Sequence, residues 1–284
     1  MKSIPQSEIK AIGKLLKDSD ESTMKLLEEQ IKTFDINVLK EINDELPLDD
    51  ITCRKHFLDL LLKMRREKLS KDFDNWSKNS LSDLEYGVFL VASFNNPLLS
   101  FEFYSNILSS WSNKLGQNLK NIKFKDDPTS IINEANHFIF MELGFKGNKE
   151  SYYDPENSFI DKVIEKKKGN PILLSIIYLL VTKRLGLQFL GVNMPAHFLV
   201  QYIDTIEPIF IDPFNQGEII TRADCQERIK ILKLTWQEDY LTSPNNKQIV
   251  TRIMQNLINI YNSEGLFELK EQLEYYVNIV KRNT

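Results

Sequence analysis

Apolar positions recur at helical spacing through the first half of the chain, give way to short β-like runs after residue 185, and return to helical spacing at the end. Ile9, Ile12, Leu15 and Leu16 share one helical face, and Met24, Leu27, Ile31 and Phe34 share another, with the polar turn Lys17–Asp20 between them. Such a pair of short amphipathic helices resembles one unit of an α-solenoid. Leu46-Pro47 marks a break. Phe57, Leu58, Leu61 and Leu62 predict a helix over 50–68, capped by Asp50. Ser80-Leu-Ser-Asp83 has capping-box spacing and opens a helix through Tyr86, Phe89, Leu90 and Phe94. Further helices are predicted over 101–119 and 129–143, the latter stopped by Gly144.

The run 171–185 is apolar nearly all round, so it reads as a central, buried helix. Asn170 suits its N-cap, Pro171 its first position and Gly186 its stop. Segments 187–194, 197–203 and 209–212 are rich in β-branched and aromatic residues and read as antiparallel strands, with 217–220 as a short edge. Thr221 and Asp224 repeat the capping-box spacing, and helices over 248–261 and 266–281 close the chain. The expected fold class is α+β: mostly helical, with a small antiparallel sheet packed on a central buried helix.

Charge narrows the function classes. With 36 Lys+Arg against 40 Asp+Glu the formal net charge is -4, which argues against nucleic-acid binding. Cys53 and Cys225 stand far apart and form no framework, so a reducing, cytoplasmic setting is the simpler reading. His56, His137 and His197 are too scattered for a metal site, and no cofactor is implied. No apolar run approaches the ~20 residues of a membrane span, and the first residues carry no signal-type segment. Trp76, Trp111 and Trp236 read as core anchors, and Glu165-Lys-Lys-Lys168 as a solvated basic run.

A buried helix, then a strand bearing His197, then a strand ending in Asp212-Pro213 resembles the transglutaminase-like, papain-related core. Gly169 and Leu185-Gly186 fit that core's helix frame, His197-Phe-Leu-Val its histidine strand, and Phe210-Ile-Asp-Pro213 its aspartate strand. The closer resemblance is to bacterial SirB-type transglutaminase-like proteins, which have a helical N-terminal region and often a tetratricopeptide-like tail. It is carried by Gly144-Phe-Lys-Gly147, Tyr153-Asp-Pro-Glu-Asn-Ser158, Gly169-Asn-Pro-Ile-Leu-Leu-Ser175, Pro195-Ala-His-Phe198 and Ile211-Asp-Pro-Phe214. The domains expected from it are a solenoid-like hairpin over 1–48, the transglutaminase-like domain over 49–242, and a tetratricopeptide-like hairpin over 243–284.

In active relatives a cysteine at the helix start attacks, a histidine accepts its proton and an aspartate orients the histidine. That cysteine position falls on Pro171, which has neither nucleophile nor backbone N–H. His197 and Asp212 then remain as a dyad, structural or ligand-binding in role. Tyr153, Asp154, Asn157, Asn170, Ser175 and Phe214 are the residues expected around a cleft beside it. For two of them a plainer reading competes: Asn157 (or Ser158) as the cap of a helix over 159–168, and Ser175 as a hydroxyl bonded back to a carbonyl. The expected function is a non-catalytic protein-interaction or regulatory module with a protein or peptide partner. The alternative is a hydrolase or acyl transferase that uses His197 and Asp212 with a displaced nucleophile or an activated water.

Overall fold

Aspartate and asparagine caps start many of the helices, because each side chain accepts backbone N–H groups that the first turn leaves unpaired. In the computed structural model, which describes residues 4–17, 20–47, 49–79, 82–123 and 127–283, the chain divides into two compact units. One comprises Met1–Asp72 with Ser93–Leu99, the other Phe73–Ala92 with Ser100–Thr284.

The first unit is helical. It holds α1 (Gln6–Leu15), α2 (Glu21–Ile31), α3 (Ile36–Glu45) and the larger part of α4 (Ile51–Lys78). Asp20 caps α2 and Asp35 caps α3. Ile9, Ile12, Leu16, Leu27, Ile31, Ile42 and Phe57 form its core, with Cys53 buried among them. Helix α3 buries Ile42, with Val38 and Leu39 partly buried against the same core. The middle of the Lys17–Asp20 turn, and Ser80 with Leu81 of the second capping box, lie outside the described residues.

The second unit begins with the end of α4, then α5 (Leu84–Ser93), α6 (Phe101–Asn121) and α7 (Pro128–Asn136), which runs on as a π-helical stretch, His137–Glu142. Gly144 ends it at φ 75°. Two short strands follow that the sequence pattern does not announce: β1 (Lys146–Gly147) pairs in parallel with β2 (Lys168–Gly169). Between them lie a 3₁₀ turn, Pro155–Ser158, and α8 (Ile160–Lys166).

Helix α9 (Pro171–Lys183) is the centre of this unit. Every residue from Pro171 to Thr182 is buried, Asn170 Oδ1 accepts the Leu173 N–H at 2.9 Å, and Gly186 stops the chain at φ 71°. An antiparallel sheet of β3 (Phe189–Val192), β4 (Leu199–Tyr202), β5 (Ile209–Asp212) and β6 (Glu218–Ile220) follows in simple meander order. One face approaches α9 so closely that a Cβ at Gly191 would stand 3.6 Å from Leu179, and 2.8 Å from the neighbouring Phe198 ring. The other face carries Val192, Leu199, Phe210 and Ile220 into a small core with Cys225 and Ile229 of α10 (Arg222–Ile231). Thr221 and Asp224 form the capping box that starts α10. Last come α11 (Asn246–Ser263) and α12 (Phe267–Arg282), packed as a helical hairpin. The architecture is the expected one, mostly helical with a four-stranded antiparallel sheet on a buried helix.

Candidate functional site

Asp212 ends β5, and its carboxylate immediately caps the next turn. Oδ1 accepts the Phe214 N–H at 3.1 Å and the Asn215 N–H at 3.3 Å. The same oxygen lies 2.9 Å from His197 Nε2. Since a carboxylate only accepts, the imidazole proton facing it sits on Nε2. Oδ2 is bound by Asn215 Nδ2 at 2.9 Å and by Arg228 Nη1 of α10 at 2.6 Å. Asp212 is fully buried. Burial pushes its carboxyl pKa up, but the bond to and charge of His197, with Arg228 and Asn215, outweigh that and hold it well below the usual carboxylate range.

His197 stands in the turn before β4 rather than at the strand's first position. The preceding Ala196 has φ 55°, a conformation that costs a non-glycine residue about 1 kcal/mol. Arg252 of α11 pins this turn: its Nη2 donates to the carbonyls of Met194 and His197, each at 2.7 Å, and its Nη1 to Asn193 Oδ1. Phe214 meets the His197 ring edge-on at 6.3 Å, and Tyr152 meets Phe214 edge-on at 5.7 Å.

The other predicted residues have separate places. Asn170 caps α9 and donates from Nδ2 to Ser158 Oγ at 2.9 Å. Asp154 caps the 3₁₀ turn. Asn157 is buried; it donates to the carbonyls of Ser151 (2.7 Å) and Tyr152 (3.1 Å) and accepts from Asn148. Asn157 and Ser158 therefore do not cap α8, whose start at Phe159 has no side-chain cap, and Asn157 faces no open cleft. Ser175 is no cleft residue either. It is fully buried, with Oγ 2.8 Å from the Pro171 carbonyl and 3.3 Å from that of Phe198. Pro171 occupies the first turn, itself buried. Cys225 is fully enclosed behind the sheet, and burial pushes its thiol up to about 11.

Two readings of the surface need correction. Lys167 does not belong to a solvated basic face: it is half-buried, in the left-handed region at φ 56°, with its ammonium 4.0 Å from the Trp111 ring centre and 4.5 Å from that of Phe145. Burial lowers its pKa to about 8. Of the three tryptophans only Trp76 is buried; Trp111 and Trp236 are half-buried.

A cavity of about 530 Å³ opens beside the α9 cap. Tyr152 and Tyr153 line one part of it, Asn170 another, and Asn256, Asn259, Ile260 and Ser263 contribute a stripe of α11. None of these described lining residues is charged. Arg228, Arg252 and the α11 stripe escape sequence reasoning. The two arginines carry no local signal, since their partners lie 16 and 55–59 residues away. The stripe has one, since Asn256, Asn259 and Ser263 recur at helical spacing in an otherwise amphipathic helix.

Comparison with known proteins bears on the whole assembly. A family described as the transglutaminase-like superfamily matches residues 104–255, which include α9, the sheet and both members of the dyad. A UPF0162 protein of Xylella fastidiosa (strain 9a5c) is 30% identical over 178 residues, 61% of this chain and 62% of the relative. A UPF0162 protein of Vibrio cholerae is 38% identical over 89 residues, 31% of this chain and 33% of that one. F-box only protein 21 of Mus musculus is 27% identical over 166 residues, 52% of this chain and 25% of the mouse protein. The chain thus spans 62% of the length of the Xylella relative and less of the other two. No solved structure matches. The family match extends over more than half of the chain, and the protein belongs to the transglutaminase-like superfamily.

Proposed function

We propose that this protein is a non-catalytic member of its superfamily, of the SirB type, that binds an uncharged stretch of a partner polypeptide in the cavity beside the α9 cap. The observation that carries this reading is that Pro171 stands at the nucleophile's place and that neither Ser175 nor Cys225 offers a free hydroxyl or thiol. Pro171 holds the helix start where active relatives place a cysteine. Ser175 spends its hydroxyl on backbone carbonyls, and Cys225 is buried with a raised pKa. Cysteine chemistry needs an accessible thiolate, which none of these supplies. The dyad then has a positioning role: Asp212, Arg228 and Arg252 together fix the 193–198 turn and the 213–215 turn. The cavity lining favours a peptide, because amide and hydroxyl groups on Asn170, Asn256, Asn259 and Ser263 match backbone or carboxamide groups, and Tyr152 and Tyr153 supply aromatic contact. Helix α11, the first of the hairpin read as a tetratricopeptide-like tail, supplies one wall. The unpaired cysteines suit a cytoplasmic setting.

A second reading rests on the dyad itself. An oriented His197 beside a carboxylate kept ionised is the arrangement of a general base, and could activate water.

The experiment that separates them is a turnover screen with ester, peptide and glutamine-amide substrates, on wild type and on folded His197→Ala, alongside selection of binders from a random heptapeptide library. Silence in both proteins, with selected peptides that bind wild type and lose binding in Asn259→Trp, is expected. Wild-type turnover that disappears in His197→Ala would establish the hydrolytic reading instead. A library that yields no binder sensitive to Asn259→Trp would overturn the peptide site.

A further inference from the structure

A second cavity, of about 300 Å³, lies at the parallel β1–β2 pair, with no lining residue shared with the cavity assigned to peptide. Lys146, Lys149 and Lys168 all line it, against one carboxylate, Glu150. Lys146 and Lys168 are directly paired in the parallel register, so their side chains stand on the same face of the ladder. Like charges placed directly opposite are destabilising in isolation. The compensation within the chain is slight: Lys168 lies 3.3 Å from Glu150, whose side chain is 85% exposed, a pair of little worth in water. Lys146 and Lys149 have no ion pair among the described residues, on a chain whose net charge is -4.

Gly147 lines the cavity with backbone alone, and Phe214 fills the place of a side chain: a Cβ there would stand 2.6 Å from the Phe214 carbonyl oxygen. Gln216, in the left-handed region at φ 57°, also lines it. Three ammonium groups around one small cavity fit a compact, doubly charged anion. A single carboxylate would neutralise only one of them.

We propose that this cavity is a binding site for a phosphate monoester dianion, with Lys146, Lys149 and Lys168 as its cationic ligands. Lysine serves such a role as a point charge. The inference stands apart from the peptide reading, and each can fail alone.

Nuclear magnetic resonance titration of the full chain at pH 7.5 tests it, with inorganic phosphate, phosphoserine and a phosphoserine decapeptide as probes and sodium chloride at matched ionic strength as control. Saturable shifts of the Gly147, Asn148 and Gln216 amides are expected with phosphate and not with chloride. Lys146→Gln, Lys149→Gln and Lys168→Gln should each weaken binding about two- to fivefold, the scale of one exposed charge pair. Lys71→Gln, on the other unit, should not. Tighter binding of the decapeptide than of free phosphoserine would assign the phosphate to a modified polypeptide, and equal binding to a small molecule. Shifts that chloride reproduces, or that survive all three substitutions, would overturn the site.

Discussion

Asp212→Ala should destabilise the second unit by about 3–5 kcal/mol, as breaking a buried ionic group by removing one partner does. The structure sets the scale. The carboxylate accepts five hydrogen bonds, from His197, Phe214, Asn215 twice, and Arg228. Each is worth about 1 kcal/mol net, and those to charged partners more. Arg228 is 31% exposed, so its share is reduced by solvent screening. Alanine also relieves the desolvation of the carboxylate, which keeps the total below the sum of the bonds. Asp212→Asn preserves the volume but turns an amide N–H₂ toward Arg228 or His197, and should lose at least half as much. Because the chain has two units, native-state hydrogen exchange at β4 and β5 amides reads the loss directly, with urea melts as a second measure. The dependence on pH has a fixed direction. A carboxyl held below its unfolded value of about 3.9 contributes stability that is complete above that value and is lost as pH falls through it toward the folded pKa. Wild type should therefore begin to lose its advantage over Asp212→Asn as pH falls below about 4. A loss under about 1 kcal/mol in Asp212→Ala, or an advantage unchanged at pH 3, would refute the account of this cluster.

Cys225 should stay unlabelled by iodoacetamide at pH 8 until the chain unfolds, since it is fully buried with its thiol pushed up to about 11. Gly217→Ala should cost about 2 kcal/mol or more in urea melts: the residue has φ 79°, and a Cβ would meet the Asn136 side chain at 2.4 Å, where Asn136 donates to the Gly217 carbonyl. Lys167 has its pKa lowered to about 8, so the unfolded chain binds more protons and stability should rise with pH from about 8 to about 10.5. Lys167→Met should flatten that rise, and a curve unchanged by the substitution would argue against a desolvated ammonium between Trp111 and Phe145.

Much of the site region is legible because its cues are local. Asn170, Pro171 and Gly186 frame α9 as caps and stop, Thr221 and Asp224 start α10, and the β-branched runs become β3 to β5 in the expected antiparallel order. The features that were missed are nonlocal or carried by few residues. Helix α3 is ten residues long, and its apolar face of Val38, Leu39 and Ile42 covers little more than one turn. Strands β1 and β2 are two residues each, defined by a partner 22 positions away in register. Asn157 has the residue type of a cap, but its amide meets the 148–152 loop first. Lys167 sits in a charged run, yet the left-handed turn at the end of α8 swings it between two aromatic rings.

The sequence alone determined the order of elements and the central helix, and the resemblance to the transglutaminase-like core added the expectation that His197 and Asp212 form a pair. The sequence also determined that proline stands at the helix start, because helix caps and strand periodicity act within a few residues. Only the tertiary structure decided what that pair is tied to, that Ser175 and Asn157 are spent on backbone groups, and that α11 lines one cavity and the β1–β2 pair another. Those outcomes depend on distances between segments far apart in the chain, set by how apolar faces pack, and no local pattern encodes them.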